Sequence, residues 1–272
     1  MNVRRRRALA LGAAVLAVAG GAAFPGSAAA EVVVSPGEVR QGRTAVAWVE
    51  GRLARVIGVP VDAPLGEWAA EVAGEQVMLH VVDGGFSVQR IGFPAEQMGL
   101  LEPEVGDLER LTMLTVMAPR EGETQPMWKG LFKQPAGGRL VTRHGARRDY
   151  LDSMGNVVQR SQHGGIDLAV PLGTPIAAPA DGVVVFTGRW SIRGNVAVVS
   201  HGAGVHTVHA HALDLAVKAG DAVVTGQVLG RVGSTGLSTG PHLHWEVRVH
   251  GVGVDPLEWI EREELGRLAE LV

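Results

Sequence analysis

The feature that most restricts the fold is a rhythm of short valine-rich runs, each closed by Gly, Pro or Asp. "GTPIAAPADGVVVFTG", "NVAVVSHG", "GVHTVHAHA" and "DAVVTGQVLGRVG" follow one another with little room for a helix between them. Runs of this length and composition make strands joined by tight turns. The 38 glycines suit such turns, and aromatic residues make up only 4% of the chain, so we expect a mostly β protein.

Several classes are bounded by composition. Arg4 to Arg7, the Ala- and Gly-rich run to Phe24 and the Ala28-Ala29-Ala30 site before Glu31 read as an export signal over residues 1–30. Its apolar run of 17 residues is short for a membrane anchor. Removing four arginines from 25 basic residues against 28 acidic ones leaves a net charge near −7, which makes nucleic acid an unexpected partner. With no cysteine, the fold has no disulfide, and any metal must be held by His, Asp or Glu.

Along the chain, residues 31–95 alternate strand-like runs with turns and read as a small β-sandwich-like module. Within it "QVMLHVVDGGFSVQRIGF" has the look of a hairpin turning at Asp83-Gly84-Gly85. Residues 96–130 read as a helix and linker, with Leu108, Leu111, Thr112 and Thr115 at helical spacing. Residues 131–260 carry the strongest strand signature, and 261–272 read as part of a closing helix that begins near Leu257.

Eight of the ten histidines fall between His163 and His250, so chemistry is to be sought there. Period-two alternation from Pro241 sends Leu243, Trp245, Val247 and Val249 to one face and His242, His244, Glu246, Arg248 and His250 to the other. His163 and Asp167 sit four apart beyond a Gly-Gly pair that disfavours a helix, and they share a face of an extended segment. In "HTVHAHA" the same alternation puts His209 and His211 together and His206 opposite. Any one of these clusters has an ordinary reading as a solvated strand. Their coincidence points to metal-assisted hydrolysis, with protein ligands holding a metal and neighbouring imidazoles moving protons.

The stretches "HGGIDLAVPLGTPIAAPADGVVV", "VKAGDAVVTGQVLGRVGSTGLSTGPHLHWEVR" and "GRLVTRHGARRDY" closely resemble the exported zinc metalloendopeptidases of the lysostaphin/LytM type, which cut peptide bonds of bacterial peptidoglycan. The likeness runs from about Trp128 to Trp259. It implies a two-layer antiparallel β catalytic domain with a groove over one zinc ion, and zinc ligands His163, Asp167 and His244. By the same resemblance His242 and His211 are the catalytic partners. His209 stands where such enzymes have a tyrosine and Ala212 where they have a leucine, which leaves open which of His209 and His211 acts. His144 stands in place of an expected aromatic residue. Residues 31–95 resemble the immunoglobulin-like domain that precedes some of these peptidases, although the stretch near Gly51 to Val56 is short for one. A module of this size is marginal alone and is expected to lean on the catalytic domain.

The implied substrate is a peptidoglycan stem or cross-link peptide, met in the periplasm, the cell envelope or outside the cell. The alternatives are a catalytically silent wall-binding or amidase-activating module and a structural zinc site. A complete ligand set argues against the first, and a three-ligand set with two extra histidines argues against the second. Residues 102–130 are also long enough to reach a groove. Glu246 could orient a ligand, but a plain ion pair is the simpler expectation.

Overall fold

A computed structural model describes residues 32–35, 38–49, 52–72, 75–120 and 125–268. The export signal expected over residues 1–30 lies outside them, as do the linker residues 121–124 and the last four residues.

The N-terminal strands are β1 (Val32–Ser35), β2 (Glu38–Arg40), β3 (Thr44–Val49), β4 (Arg52–Gly58), β5 (Gly66–Val72) and β6 (Glu75–Val82). They form two three-stranded sheets, ordered β1-β3-β4 and β2-β6-β5. Ala45, Ile57, Val59, Val39, Leu79 and Val81 from both sheets close one small core.

The next strand, β7 (Val88–Gly92), corrects the expected hairpin. It does not pair with β6 but runs parallel to β9 (Arg147–Leu151), which in turn pairs with β10 (Val157–Gln162). The Asp83-Gly84-Gly85 segment makes no hairpin turn, although Asp83 Oδ1 accepts from the Gly85 N–H and Gly85 has a φ of 69°. It hands the chain to a different sheet, so β7 lies with the C-terminal part although the sequence groups it with residues 31–95.

A 3₁₀ segment (Ala95–Leu101) and helix α1 (Pro103–Val116) follow. Pro103 at the first helical position starts α1 without a lost hydrogen bond. Its buried side chains are Glu109 and Met113, with Met117 just beyond, while Leu108 and Leu111 are 68% and 55% exposed. The inward face is therefore the reverse of the leucine face read from the sequence. Met113 and Met117 pack on Trp190, Val196, Val198, Val208 and Ala210, and Glu109 is drawn inward by hydrogen bonds.

The largest sheet joins β8 (Arg139–Thr142), β11 (Ile166–Ala169), β13 (Gly182–Trp190), β14 (Gly194–Ser200), β15 (Val205–Leu215), β16 (Ala222–Val223) and β18 (Leu243–Val249) in the order β16-β13-β14-β15-β18-β11-β8. Strands β12 (Pro175–Ala177), β17 (Val228–Val232) and β19 (Val252–Val254) attach to it, and all its pairings are antiparallel. The mostly β, antiparallel expectation holds. One face of the sheet buries Leu243, Trp245, Val247 and Val249 with Trp128, Phe132 and Trp259. The opposite face carries α1 and the clustered histidines.

The C-terminus corrects the single closing helix. Two short helices, α2 (Pro256–Glu261) and α3 (Glu263–Gly266), are separated at Arg262, whose backbone is extended. The Arg262 guanidinium is held by Thr44 O, Glu258 and Glu264, which fixes the break. Asp255 caps α2 by accepting from the Leu257 N–H. Among the described residues no helix is long and apolar enough to cross a membrane.

Candidate metal centre

His163 precedes β11, Asp167 lies within it, and His244 lies on the adjacent β18, where Asp167 and His244 are direct cross-strand partners. Side chains of paired residues stand on the same face, so the pairing brings carboxylate and imidazole together. Gly165 permits the approach: a Cβ there would lie 2.2 Å from Trp245 O. The glycine pair of "HGG" thus serves close strand packing as well as excluding a helix.

The three side chains converge. His163 Nε2 is 3.0 Å from Asp167 Oδ1 and 2.9 Å from His244 Nδ1, and His244 Nδ1 is 2.9 Å from Asp167 Oδ1. Each histidine has its other nitrogen engaged outward. His163 Nδ1–H donates to Arg143 O at 3.0 Å, and His244 Nε2–H donates to Glu246 Oε1 at 2.9 Å. The inward atoms are then two imidazole lone pairs and a carboxylate oxygen, an acceptor-only triangle that a cation must satisfy. Two imidazoles and one carboxylate without a thiolate suit zinc. The outward bonds fix the tautomers and raise ligand basicity, as carboxylates and carbonyls behind metal-binding histidines commonly do. The fit to a metal therefore rests on the direction of every lone pair and not on residue types alone.

Charge around the centre is well defined. Burial pushes His163 down to about 4, so it presents a neutral ring. Burial opposes protonation of His244 too, but its bonds to Asp167 and Glu246 outweigh it and leave it raised, the response of a site that attracts positive charge. Burial would raise Asp167, yet His163 and His244 hold it ionised, and Arg148 Nη2 binds its second oxygen at 2.6 Å. Glu246 is fully buried and is kept well below the usual carboxylate range by Arg193 and Arg248.

The second pair of imidazoles stands beside this triangle. The His211 and His242 rings lie 4.7 Å apart, and those of His211 and His244 5.9 Å. His211 Nδ1–H donates to Thr235 O at 2.7 Å and His242 Nδ1–H to Gly240 O at 2.8 Å. In both rings Nε2 is the nitrogen left for chemistry, and His242 Nε2 is 3.8 Å from Asp167 Oδ1. Burial, and for His211 the neighbouring His242 and His244, lowers both.

The structure separates His209 from His211, against simple alternation. Up to Ala210, β15 pairs with β18, placing His209 opposite Trp245 on the apolar side and Ala210 opposite His244. From Ala212 it pairs with β17 instead. His211 sits at this switch with a φ of 60°, and the pairing with β14 also slips there, the pattern of a β-bulge. The bulge swings His211 onto the metal side, while His209 stays in the core. His206, paired with Arg248 on the side of His244, stands opposite His209 as alternation expects, and His250 has left the strand for a turn with a φ of 49°. His144 is buried near Gly42 and Gly253, where it fills a seam and takes no place in the centre.

Two partners went unassigned in the sequence, Arg148 on Asp167 and Arg193 on Glu246. Glu246 itself, expected to be a surface pair, is fully buried and bonded to a candidate ligand. The alternation of "HLHWEV" already put it on the histidine face, which was the available signal. The Gly233 to Pro241 loop supplies Thr235 O and Gly240 O to the two flanking histidines. Leu237 of the same loop packs with Leu101 and Tyr150, so the 3₁₀ segment borders the centre.

Residues 161–256 match the family model of Peptidase family M23, a span that contains all five of these residues. The chain is 50% identical over 95 residues to the DD-carboxypeptidase/endopeptidase Mpg of Neisseria meningitidis, covering 35% of this chain and 22% of that one. It is 43% identical over 96 residues to the peptidoglycan DD-endopeptidase ShyA of Vibrio cholerae, again 35% of this chain and 22% of the other. The chain thus spans about a fifth of the length of these curated relatives. A crystal structure of a Pseudomonas aeruginosa protein described as a peptidase M23 superposes with a TM-score of 0.55 at 27% identity, covering 84% of this chain and 92% of that one. That coverage reaches well beyond the matched domain. With the histidine and aspartate geometry inside the matched span, the chain carries a Peptidase family M23 domain over residues 161–256.

Proposed function

We propose that the protein is an exported zinc endopeptidase that hydrolyses peptide bonds in the stem or cross-link peptides of peptidoglycan. The observation that carries the reading is the acceptor-only triangle of His163, Asp167 and His244 with two neutral imidazoles beside it. Relatives named as peptidoglycan endopeptidases support the substrate class.

His163 Nε2, Asp167 Oδ1 and His244 Nδ1 would hold the zinc. Bound there, zinc supplies a Lewis acid that polarises a scissile carbonyl and makes water acidic enough to react near neutral pH. The remaining work falls to the chain. Because Nδ1 of His211 and of His242 is anchored to a carbonyl, each ring presents an unprotonated Nε2 that can take a proton from water and return it to the leaving amine. Protonated, the same atoms donate hydrogen bonds to a developing oxyanion. Arg148 holds the second oxygen of Asp167 and leaves the first for the metal. His209 takes no part, since its ring faces the core.

The test is zinc content together with release of peptides from purified peptidoglycan, comparing residues 31–272 with His244→Ala and His211→Ala. We expect about one zinc per chain and soluble cleaved peptides from the parent protein, loss of both in His244→Ala, and retained zinc with turnover reduced by about 10² or more in His211→Ala. Zinc binding without release of any wall peptide would favour the silent wall-binding module instead.

A further inference from the structure

Helix α1 precedes the matched domain in sequence, yet one of its side chains reaches the candidate centre through a chain of short polar contacts. Glu109 is 5% exposed. Its Oε1 accepts from Arg193 Nη1 at 2.6 Å, and its Oε2 accepts from the Ile192 N–H at 2.6 Å. Arg193 Nε donates to Glu246 Oε1 at 2.6 Å, the same oxygen that accepts from His244 Nε2–H. Arg248 Nε holds the other Glu246 oxygen at 2.6 Å. The Arg193 carbonyl also accepts from the His211 N–H at 2.8 Å, so the residue supports the bulge that aims His211.

We infer that Glu109 is a positioning residue that couples α1 to the metal centre through Arg193 and Glu246. The physical argument is one of shared charge. Arg193 divides its pull between two buried carboxylates, Glu109 and Glu246. Neutralising Glu109 leaves the whole guanidinium charge acting on Glu246. Glu246 then becomes a weaker acceptor for His244 Nε2–H, and His244 Nδ1 a poorer donor to a metal. Partners behind metal-binding histidines typically change metal affinity by about 10- to 100-fold when altered. Glu109 acts two residues further out than Glu246, so an effect near the lower end of that range is expected. The backbone effect runs in parallel: without Glu109 the Ile192–Arg193 turn loses its anchor and His211 loses a fixed support. Nothing in the helix's own packing requires a carboxylate at this position, because Met113 and Met117 supply the apolar contact.

This inference rests on the metal reading above, and the experiment separates the two. Zinc affinity of residues 31–272 is measured by competition with a chromophoric chelator for the parent protein, Glu109→Gln, Arg193→Gln, the double variant Glu109→Gln/Arg193→Gln and Met113→Ala. Melting temperature is recorded for each in zinc-free form. Glu109→Gln is expected to weaken zinc binding about tenfold. Arg193→Gln removes the guanidinium's pull from Glu246 and is not expected to weaken zinc binding through it, and the double variant should match Arg193→Gln alone, because Glu109 acts through Arg193. Met113→Ala loosens α1 without touching the polar chain and should lower the melting temperature while leaving zinc affinity within about twofold. Unchanged zinc affinity in Glu109→Gln overturns the inference, as does an equal loss in Met113→Ala, which would make α1 a purely structural prop. A parent protein that binds zinc but cuts no peptide removes the endopeptidase reading and leaves this one standing. A parent that binds no zinc removes both.

Discussion

Burial keeps a set of imidazoles neutral in this domain, and several of them, His201, His206 and His209 among them, lie away from the centre. It pushes His201 and His206 down to about 4 and His209 to about 3. In the unfolded chain each returns to a pKa near 6.5. Between the folded and unfolded values the unfolded chain therefore binds more protons, so stability rises with pH across that window and is lost on acidification. Each unit of lowering is worth about 1.4 kcal/mol, so three such rings make a large combined effect. We expect the urea midpoint of the zinc-free protein to be flat above about pH 7 and to fall steadily from pH 6.5 to 4.5, with a shallower slope in His209→Phe. A midpoint independent of pH over that range would show that these rings are not buried neutral. The same residues mark what could be read from sequence. The spacing of "HGGID" and "HLHW" marked His163, Asp167, His242 and His244 as candidates, and the family resemblance singled out His163, Asp167 and His244 as ligands. Alternation failed at "HAHA", where a positive φ at a non-glycine residue carries no sequence signature and reverses the side on which the next histidine stands.

At the scale of elements, burial was harder to read than type. The residues expected to form a helix do so, but its leucines face outward and its methionines inward. Helical spacing fits both faces, with Leu108, Leu111 and Thr115 on one and Glu109, Met113 and Val116 on the other. The inner face is decided by what the sheet offers, a surface of small and branched residues around Trp190 and an arginine that needs a second carboxylate. Met113→Ala is accordingly expected to cost about 2–5 kcal/mol, the range for emptying a buried site. Leu108→Ala with Leu111→Ala should stay within about 0.5 kcal/mol per residue, as surface changes do. Equilibrium denaturation of the two variants decides which face is inside. The Asp83-Gly84-Gly85 segment shows the same division. Local chemistry specified the Asp83–Gly85 contact and the positive φ of Gly85, whereas the partner of the following strand depends on β9, whose residues lie far along the chain.

At the scale of the molecule, the N-terminal strands and the C-terminal sheet share structure instead of merely adjoining. Val46 and Val56 belong to the core that contains Trp245, Val247 and Trp259. Gly42 O accepts from the Asp255 N–H at 2.8 Å, Glu258 accepts from the Thr44 N–H at 2.8 Å, and Arg43 pairs with Asp255 at 3.2 Å. Strand β7 contributes a parallel edge to β9, the strand that carries Arg148, the partner of Asp167. None of this is visible as a pattern in the sequence, because the contacts of the N-terminal strands and β7 with the rest join residues more than fifty positions apart and read locally as turn or strand. The physical consequence is cooperativity. The small core around Leu79 is too slight to hold the N-terminal module alone, and removing the module would expose Val249 and Trp259 and strip Glu258 of its Thr44 and Arg43 partners. Residues 31–272 are therefore expected to melt in one transition, with calorimetric and van't Hoff enthalpies equal. Residues 131–272 alone should melt at a lower temperature and bind zinc more weakly, since they lack both β7 and Glu109. Two resolved transitions in the longer protein, or an unshifted melt in the shorter one, would mean that the modules fold independently and that the shared core contributes little.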